Sequence, residues 1–264
     1  MWGFRLTVAA AIGVLGTIVS GAFITSAKVA LQSGQPEPGV GAHRIIALLA
    51  VGLACAALIA GTRSWRKRIA AASGLVSLIA SASIGWRHPL SPGVAVWHAA
   101  LSHLSTASLA VALIVPSAPN LQAIPLAVGP WTALRPAAVV TPIVVFAQIV
   151  MGALYRHQVT GIMPHMLGAM VVALLTMVVS VVVLQHFSES GALRQPATVL
   201  ISAALLQICL GIAVFLMLLL NLSNTAAFVW IATAHVTTGT LVFAASILMA
   251  ERAWRSLAPA KSAD

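Results

Sequence analysis

Eight apolar stretches, each about as long as a membrane is thick, occupy most of the chain. A helix needs roughly 20 mostly apolar residues to cross the hydrocarbon core of a bilayer. The eight predicted spans are 6–26, 43–62, 69–86, 96–116, 137–155, 163–185, 197–221 and 228–250. Only 7% of the residues are charged, against about 25% in a typical soluble domain. The sequence therefore predicts an all-α integral membrane protein with eight transmembrane helices.

An internal repeat divides these helices into two groups of four. Residues 102–109 in span four, SHLSTASL, match residues 234–241 in span eight, AHVTTGTL, at every position in chemical class. Self-similarity of this kind indicates repeated structural units. We expect two pseudo-symmetric four-helix bundles, 1–118 and 137–264, joined by a cytoplasmic linker over 119–136.

The basic residues predict how the chain lies in the membrane. The chain carries 14 lysines and arginines, and the larger share falls on the side that holds both termini. The positive-inside rule then places both termini in the cytoplasm, and we expect the inner (cytoplasmic) membrane of a cell. Because these cations lie at helix ends, they indicate how the chain is oriented in the membrane. The lipid bilayer is therefore the expected partner, and no nucleic acid is expected to bind.

Four histidines fall at repeat-related places, one in each even-numbered span. They are His43, His103, His165 and His235. Every even span begins on the external side, so all four lie in the outer part of the membrane. An ionisable side chain inside a membrane is costly to bury and is usually functional. Four of them at matched places favour a shared role in binding a ligand.

The acidic residues narrow the choice of ligand. None of the four, Glu37, Glu189, Glu251 and Asp264, lies deep within a span. Zinc sites usually use four tetrahedral ligands that include cysteines or carboxylates, so metal-ion transport and a carboxylate proton relay are disfavoured. A b-type haem fits better, because its iron takes two imidazoles from facing helices of an apolar bundle. The four histidines are therefore the expected axial ligands of haem iron.

Other polar residues near the outer helix ends fit the same hypothesis. Arg44, Arg87 and Arg156 are expected to bind haem propionates, since arginine binds carboxylates through two parallel hydrogen bonds. The alternative is ordinary interfacial placement of long cationic side chains. His98 lies five residues from His103, about 140° around a helix, so the two cannot share a face. The repeat selects His103 as the ligand.

At these residues the chain resembles the heme A synthase family. Eight spans, two four-helix halves and one histidine on each even helix are that family's layout. His43-Arg44 matches the His-Arg motif that opens its second span. The segment 148–157, QIVMGALYRH, is similar to the family's stretch at the outer end of an odd helix. The resemblance covers nearly the whole chain.

This resemblance implies an activity and a role for each histidine pair. The family oxidises the C8 methyl group of heme O to a formyl group, which yields heme A for cytochrome oxidases. His165 and His235 would hold a permanent heme b that relays electrons, and His43 and His103 would hold the substrate. A heme O synthase and an electron donor are the partners implied.

One departure from the family pattern leaves other functions open. The family usually has a glutamate three residues before its first histidine, where this chain has Val40. Glu37, six residues before His43, is a candidate catalytic substitute. The alternatives are a non-catalytic bis-histidine heme b protein, acting in electron transfer or cytochrome oxidase assembly, and a transporter or channel with structural histidines.

Overall fold

The computed structural model describes residues 2–30, 39–60, 64–87, 89–114, 124–126 and 133–259. In these ranges it contains eight long helices, all apolar enough to cross a membrane. They are α1 Trp2–Ala30, α2 Val40–Ala60, α3 Trp65–Gly85, α4 Pro92–Ile114, α5 Leu134–Arg156, α6 Met163–His186, α7 Gly191–Leu219 and α8 Ala226–Ser256. The predicted eight-span helical fold is confirmed. Two three-residue strands pair in parallel, β1 Ile124–Leu126 between α4 and α5 and β2 Leu257–Pro259 after α8.

Two helices extend six residues beyond one end of their predicted spans. α7 begins at Gly191 rather than 197, and α8 continues to Ser256 rather than 250. Hydropathy marks where a chain leaves lipid, whereas backbone hydrogen bonds continue past that point. In α8 the extension is supported by an ion pair one turn apart, with 3.0 Å between Arg255 Nη1 and Glu251 Oε1.

Helix contacts follow the same order in each half. In the N-terminal half, α1 and α3 each pack against both α2 and α4. In the C-terminal half, α5 and α7 each pack against both α6 and α8. The halves meet where α8 packs against α1 and α4, and where α4 packs against α5. If each helix is replaced by its counterpart in the other half, the α1–α8 contact becomes the α5–α4 contact. The contacts between the halves therefore follow a pseudo-two-fold axis.

Small side chains fill the helix contacts and large apolar ones face outward. The buried residues of α2 are all alanines, Ala50, Ala54 and Ala57, spaced along one face. Leu49 and Ile59 on the same helix are 63% and 85% exposed. Lipid solvates large apolar groups as well as a protein core does, so membrane helices gain most from small residues that allow close approach. This pattern agrees with a bilayer around the molecule.

Candidate functional site

Two pairs of histidines face each other, one pair in each half. His43 on α2 and His98 on α4 have ring centroids 6.1 Å apart and ring planes 78° apart. His165 on α6 and His235 on α8 have ring centroids 6.3 Å apart and ring planes 87° apart. Each pair joins the second and fourth helices of its half. The two arrangements are therefore copies of one plan.

The separation suits two imidazoles that bind one metal ion from opposite sides. An imidazole nitrogen lies about 2 Å from a metal ion that it binds. Ring bonds of about 1.35 Å place that nitrogen about 1.1 Å from its own ring centre. Opposed ligands then have centroids about 6 Å apart, as in both pairs. Direct edge-to-face ring contacts cover a similar range, so the surrounding side chains must distinguish the two explanations.

In the N-terminal half, serines on the preceding helices orient both rings. His98 Nδ1 donates a hydrogen bond to the carbonyl oxygen of Ser81 at 2.9 Å, and Ser81 Oγ lies 3.0 Å from the same nitrogen. Ser20 Oγ lies 2.8 Å from His43 Nδ1. Both rings are thus held through Nδ1. In His98 the proton on Nδ1 leaves the lone pair of Nε2 available to a metal.

In the C-terminal half, glutamines take the place of the serines. The Gln148 amide nitrogen donates to the carbonyl oxygen of His165 at 2.7 Å and lies 2.9 Å from its Nδ1. The Gln207 amide nitrogen lies 3.4 Å from His235 Nε2. Among the described residues, the oxygens of both glutamines and Nδ1 of His235 are buried without a hydrogen-bond partner. Unpartnered buried polar atoms are rare in proteins, and three of them at one histidine pair fit a site that is completed by a ligand.

A glycine on each odd helix allows the neighbouring ring to approach closely. A Cβ atom added there would lie 2.6 to 3.2 Å from Cε1 of the ring, closer than most side chains tolerate. The pairs are Gly21 with His43, Gly85 with His98, Gly152 with His165, and Gly211 with His235. In α3, α5 and α7 the glycine follows the orienting serine or glutamine by four residues, one helical turn later on the same face. Each odd helix thus supplies a polar group and a gap for the histidine of the next helix.

The structure places a different histidine of α4 opposite His43 from the one that the repeat selects. His98, and not His103, faces His43. His103 is 7% exposed, and its Nδ1 lies 2.6 Å from Oγ1 of Thr240 on α8. The repeat selected His103 because the part of α4 that resembles α8 in sequence lies five residues after the histidine that faces α2. The ligand role of His103 stays a prediction. The spacing from Ser81 to Gly85, equal to that from Gln207 to Gly211, is the sequence signal that could have identified His98.

Arg44 lies beside the N-terminal pair on the outer turn of α2. Its Nη2 donates to the carbonyl oxygen of Trp86 at 3.2 Å, and its guanidinium lies 5.2 Å from the centre of the Trp86 ring. Its Nε is buried without a partner among the described residues. Arg87 is exposed. The expected role of these two arginines in binding propionates stays a prediction.

Arg156 crosses from the C-terminal half to the N-terminal half. Its Nη2 donates to Ser26 Oγ at 2.8 Å and to the carbonyl oxygen of Ala22, both on α1. His157 follows directly after α5, outside the membrane-spanning segment. Burial, and then the neighbouring Arg156, His98 and Lys28, lower the pKa of His157 from 6.5 to about 4. Arg156 thus links α5 to α1 across the two halves.

The remaining candidates lie apart from both pairs or outside the described residues. Glu37 falls outside the described ranges, so its predicted catalytic role is untested. Val40 is the first residue of α2 and is half-buried. Within the described part of the chain, no three histidine, cysteine or acidic side chains come together as a metal-ion site. The histidines thus form pairs rather than a tetrahedral cluster.

No protein-family model matches the chain, and no curated protein is significantly similar to it. The function is therefore inferred from the side chains themselves.

Proposed function

We propose that this chain is a membrane haem protein with one bis-histidine site in each half, and that it acts as a heme A synthase-type oxidase. One observation carries the proposal: two histidine pairs, both with ring centroids about 6 Å apart, lie on the same plan of helices. A polar side chain and a glycine accompany each histidine. A contact between two histidines needs no such matched surroundings, whereas axial ligands need fixed ring orientations.

The two sites take different roles in this proposal. His165 and His235 would hold a resident heme b, and His43 and His98 would hold heme O, whose C8 methyl group becomes the formyl group of heme A. When bound, haem iron supplies one-electron chemistry. The protein contributes ligand orientation through Ser20, Ser81, Gln148 and Gln207 and a bundle that excludes water. Arg44, Arg87 and Arg156 would position the propionates.

The resemblance to the heme A synthase family supports the same assignment of halves. It also suggests a heme O synthase and an electron donor as partners. The excess of cations on one side favours cytoplasmic termini and the inner (cytoplasmic) membrane.

A second candidate is a non-catalytic heme b protein for electron transfer or cytochrome oxidase assembly. Val40 favours it, because this position on the first turn of α2 carries no carboxylate beside His43. Both candidates require haem at His165 and His235. They differ in whether the haem held by the N-terminal histidine pair is oxidised there.

Expression in a host that makes heme O but no heme A separates these candidates. We expect chromatography of extracted haem to show heme A with the wild-type chain and none with His43→Ala or His98→Ala. His186→Ala, at the opposite end of α6, is the matched control and should leave heme A unchanged. Bound heme b without heme A would establish the second candidate. Purified protein without a Soret band, despite haem supply, would contradict both.

A further inference from the structure

Gly168 on α6 lies against the side chain of Gln148, which reaches across from α5. It follows His165 by three residues, about one helical turn. A Cβ atom added at Gly168 would overlap Oε1 of Gln148 and would lie 3.4 Å from its Cδ. The amide group of Gln148 therefore occupies the space that any other residue at this position would fill with its own side chain.

The two ends of the Gln148 amide have different surroundings. Its Nε2 donates to the carbonyl oxygen of His165 at 2.7 Å and lies 2.9 Å from Nδ1 of the same residue. Its Oε1 is buried and has no hydrogen-bond partner among the described residues. The oxygen faces Gly168 because the nitrogen is held by His165, so the position of the amide depends on the room at Gly168.

A methyl group at residue 168 would displace this amide rather than the backbone. The atoms nearest to the added Cβ belong to the ends of two side chains, Oε1 of Gln148 and, at 2.5 Å, Cε of Met151. Met151 can turn away at little cost, since methionine is unbranched and flexible. Gln148 can turn only by giving up both of its contacts with His165. The helices can therefore keep their positions while the His165 ring loses the group that orients it.

The other glutamine of this half has a looser version of the same arrangement. A Cβ atom added at Gly239 on α8 would lie 3.2 Å from Nε2 of Gln207. That nitrogen is 3.4 Å from Nε2 of His235, which is long for a hydrogen bond. A methyl group at Gly239 should therefore disturb its histidine less than one at Gly168.

In the N-terminal half, a hydrogen bond replaces this gap. Ser102 lies four residues after His98, as Gly239 lies four residues after its histidine. The hydroxyl oxygens of Ser102 and Ser81 are 2.7 Å apart. A short orienting serine thus leaves room for a side chain on the next helix, whereas a long orienting glutamine needs a glycine there.

We propose that Gly168 is a positioning residue of the C-terminal site, which fixes the His165 ring by leaving room for the Gln148 amide. Its effect on haem rests on the proposed function, because an axial ligand needs a fixed ring orientation. The link from Gly168 through Gln148 to His165 belongs to the protein alone and can be measured without haem.

Reaction of the haem-free chain with diethylpyrocarbonate tests this link, with each modified histidine identified by mass spectrometry. We expect His165 to react roughly five-fold faster in Gly168→Ala than in the wild type, the ratio that corresponds to one hydrogen bond. Gln148→Ala should raise the rate equally. Gly168→Ala added to Gln148→Ala should have no further effect, because no amide remains to be displaced. Gly52→Ala is the control, since nothing lies within 4 Å of its added Cβ.

Titration with heme b, followed by absorbance, measures the consequence for the site. Gly168→Ala should weaken heme b binding about ten-fold, as loss of a group that orients a metal ligand does. Gly239→Ala should weaken it less. The double variant of Gly168 and Gln148 should bind heme b as Gln148→Ala alone does.

The outcomes separate this inference from the proposed function. An unchanged His165 rate in Gly168→Ala, or additive effects of the two substitutions, would overturn the role of Gly168 whatever the haem result. A wild-type chain that binds no haem would contradict the proposed function, and the reaction rates would still decide the role of Gly168. If Gly168→Ala does not fold, the double variant should fold, and failure of both would show that the methyl group meets the backbone and would overturn the inference.

Discussion

The two histidine pairs share one plan and differ in the groups that orient their rings. In the N-terminal half, short serine side chains lie within hydrogen-bond distance of both rings. In the C-terminal half, longer glutamines leave their own oxygens and His235 Nδ1 buried without partners among the described residues. A site that must release its ligand has to be stable when empty, whereas a resident cofactor can complete a site that is unsatisfied alone. The difference favours an exchangeable ligand in the N-terminal half and a permanent one in the C-terminal half.

The contrast can be tested by removing one histidine from each pair, which should have the largest effect on bound haem. We expect His235→Ala to abolish the heme b that copurifies with the chain, because an axial ligand is lost. His98→Ala should leave that heme b in place. Absorbance in the Soret region per mole of purified protein measures both. Loss of copurified haem in the two variants alike would remove the distinction between a permanent and an exchangeable site.

His103→Asn is the control for the revised pairing. Asn keeps a polar contact with Thr240 and, on our account, leaves both pairs intact. Haem binding should therefore equal that of the wild type. A loss as large as that of His98→Ala would restore His103 as a ligand and contradict the geometry of α4.

A methyl group added beside a histidine ring should have the next largest effect on haem binding. Gly211→Ala and Gly85→Ala place a Cβ 3.0 and 2.6 Å from Cε1 of the facing ring. Overpacking of this kind costs about 1–3 kcal/mol, so haem affinity should fall roughly 5- to 150-fold. Haem titration followed by absorbance measures it. Gly52→Ala is the matched control, because nothing lies within 4 Å of its added Cβ. Unchanged affinity in both test variants would show that the rings do not need these gaps.

The orienting side chains should matter in different ways in the two halves. Gln207→Leu should lower heme b affinity about 10- to 100-fold, as loss of groups that orient metal ligands does. Ser81→Ala should affect only heme O binding at the N-terminal pair. Gln185→Leu, an exposed position near the end of α6, is the control. Titration with heme b and with heme O measures each effect, and equal changes in both titrations would contradict separate sites.

Replacement of His157 should have the smallest effect, which concerns the pH dependence of stability. Because its pKa is lowered from 6.5 to about 4 in the folded chain, the unfolded chain binds more protons between these values. This group should therefore lower the stability of the folded chain as the pH drops from 6.5 to 4. Above pH 6.5 it should add no pH dependence. His157→Gln should reduce that slope. Thermal unfolding midpoints across this pH range measure it, and an identical slope in the variant would exclude His157 as a cause.

Hydropathy and the internal repeat predict the fold because both depend on the order of residues along the chain. Eight apolar stretches of membrane length leave little choice of architecture. The repeat also selects His43, His165 and His235, which the structure brings into pairs. The ends of α7 and α8 were missed because charged turns continue as helix outside lipid.

The fourth histidine could not be chosen by matching residue classes. His98 and His103 lie on different faces of α4, and only the rotation of that helix decides which faces α2. Packing against α3 sets this rotation, where a Cβ at Gly74 would lie 2.8 Å from Leu109. The path of Arg156 from α5 to α1 was equally hidden, because the sequence does not show which helices meet across the halves.

Electron paramagnetic resonance of the purified ferric protein, with bound haem counted by pyridine extraction, would show whether a histidine pair binds haem iron from both sides. We expect a low-spin signal from six-coordinate iron in the C-terminal half of the wild type, and its replacement by a high-spin signal or by haem loss in His165→Ala and His235→Ala. A low-spin signal of full intensity in both variants would show that His165 and His235 are not the axial ligands.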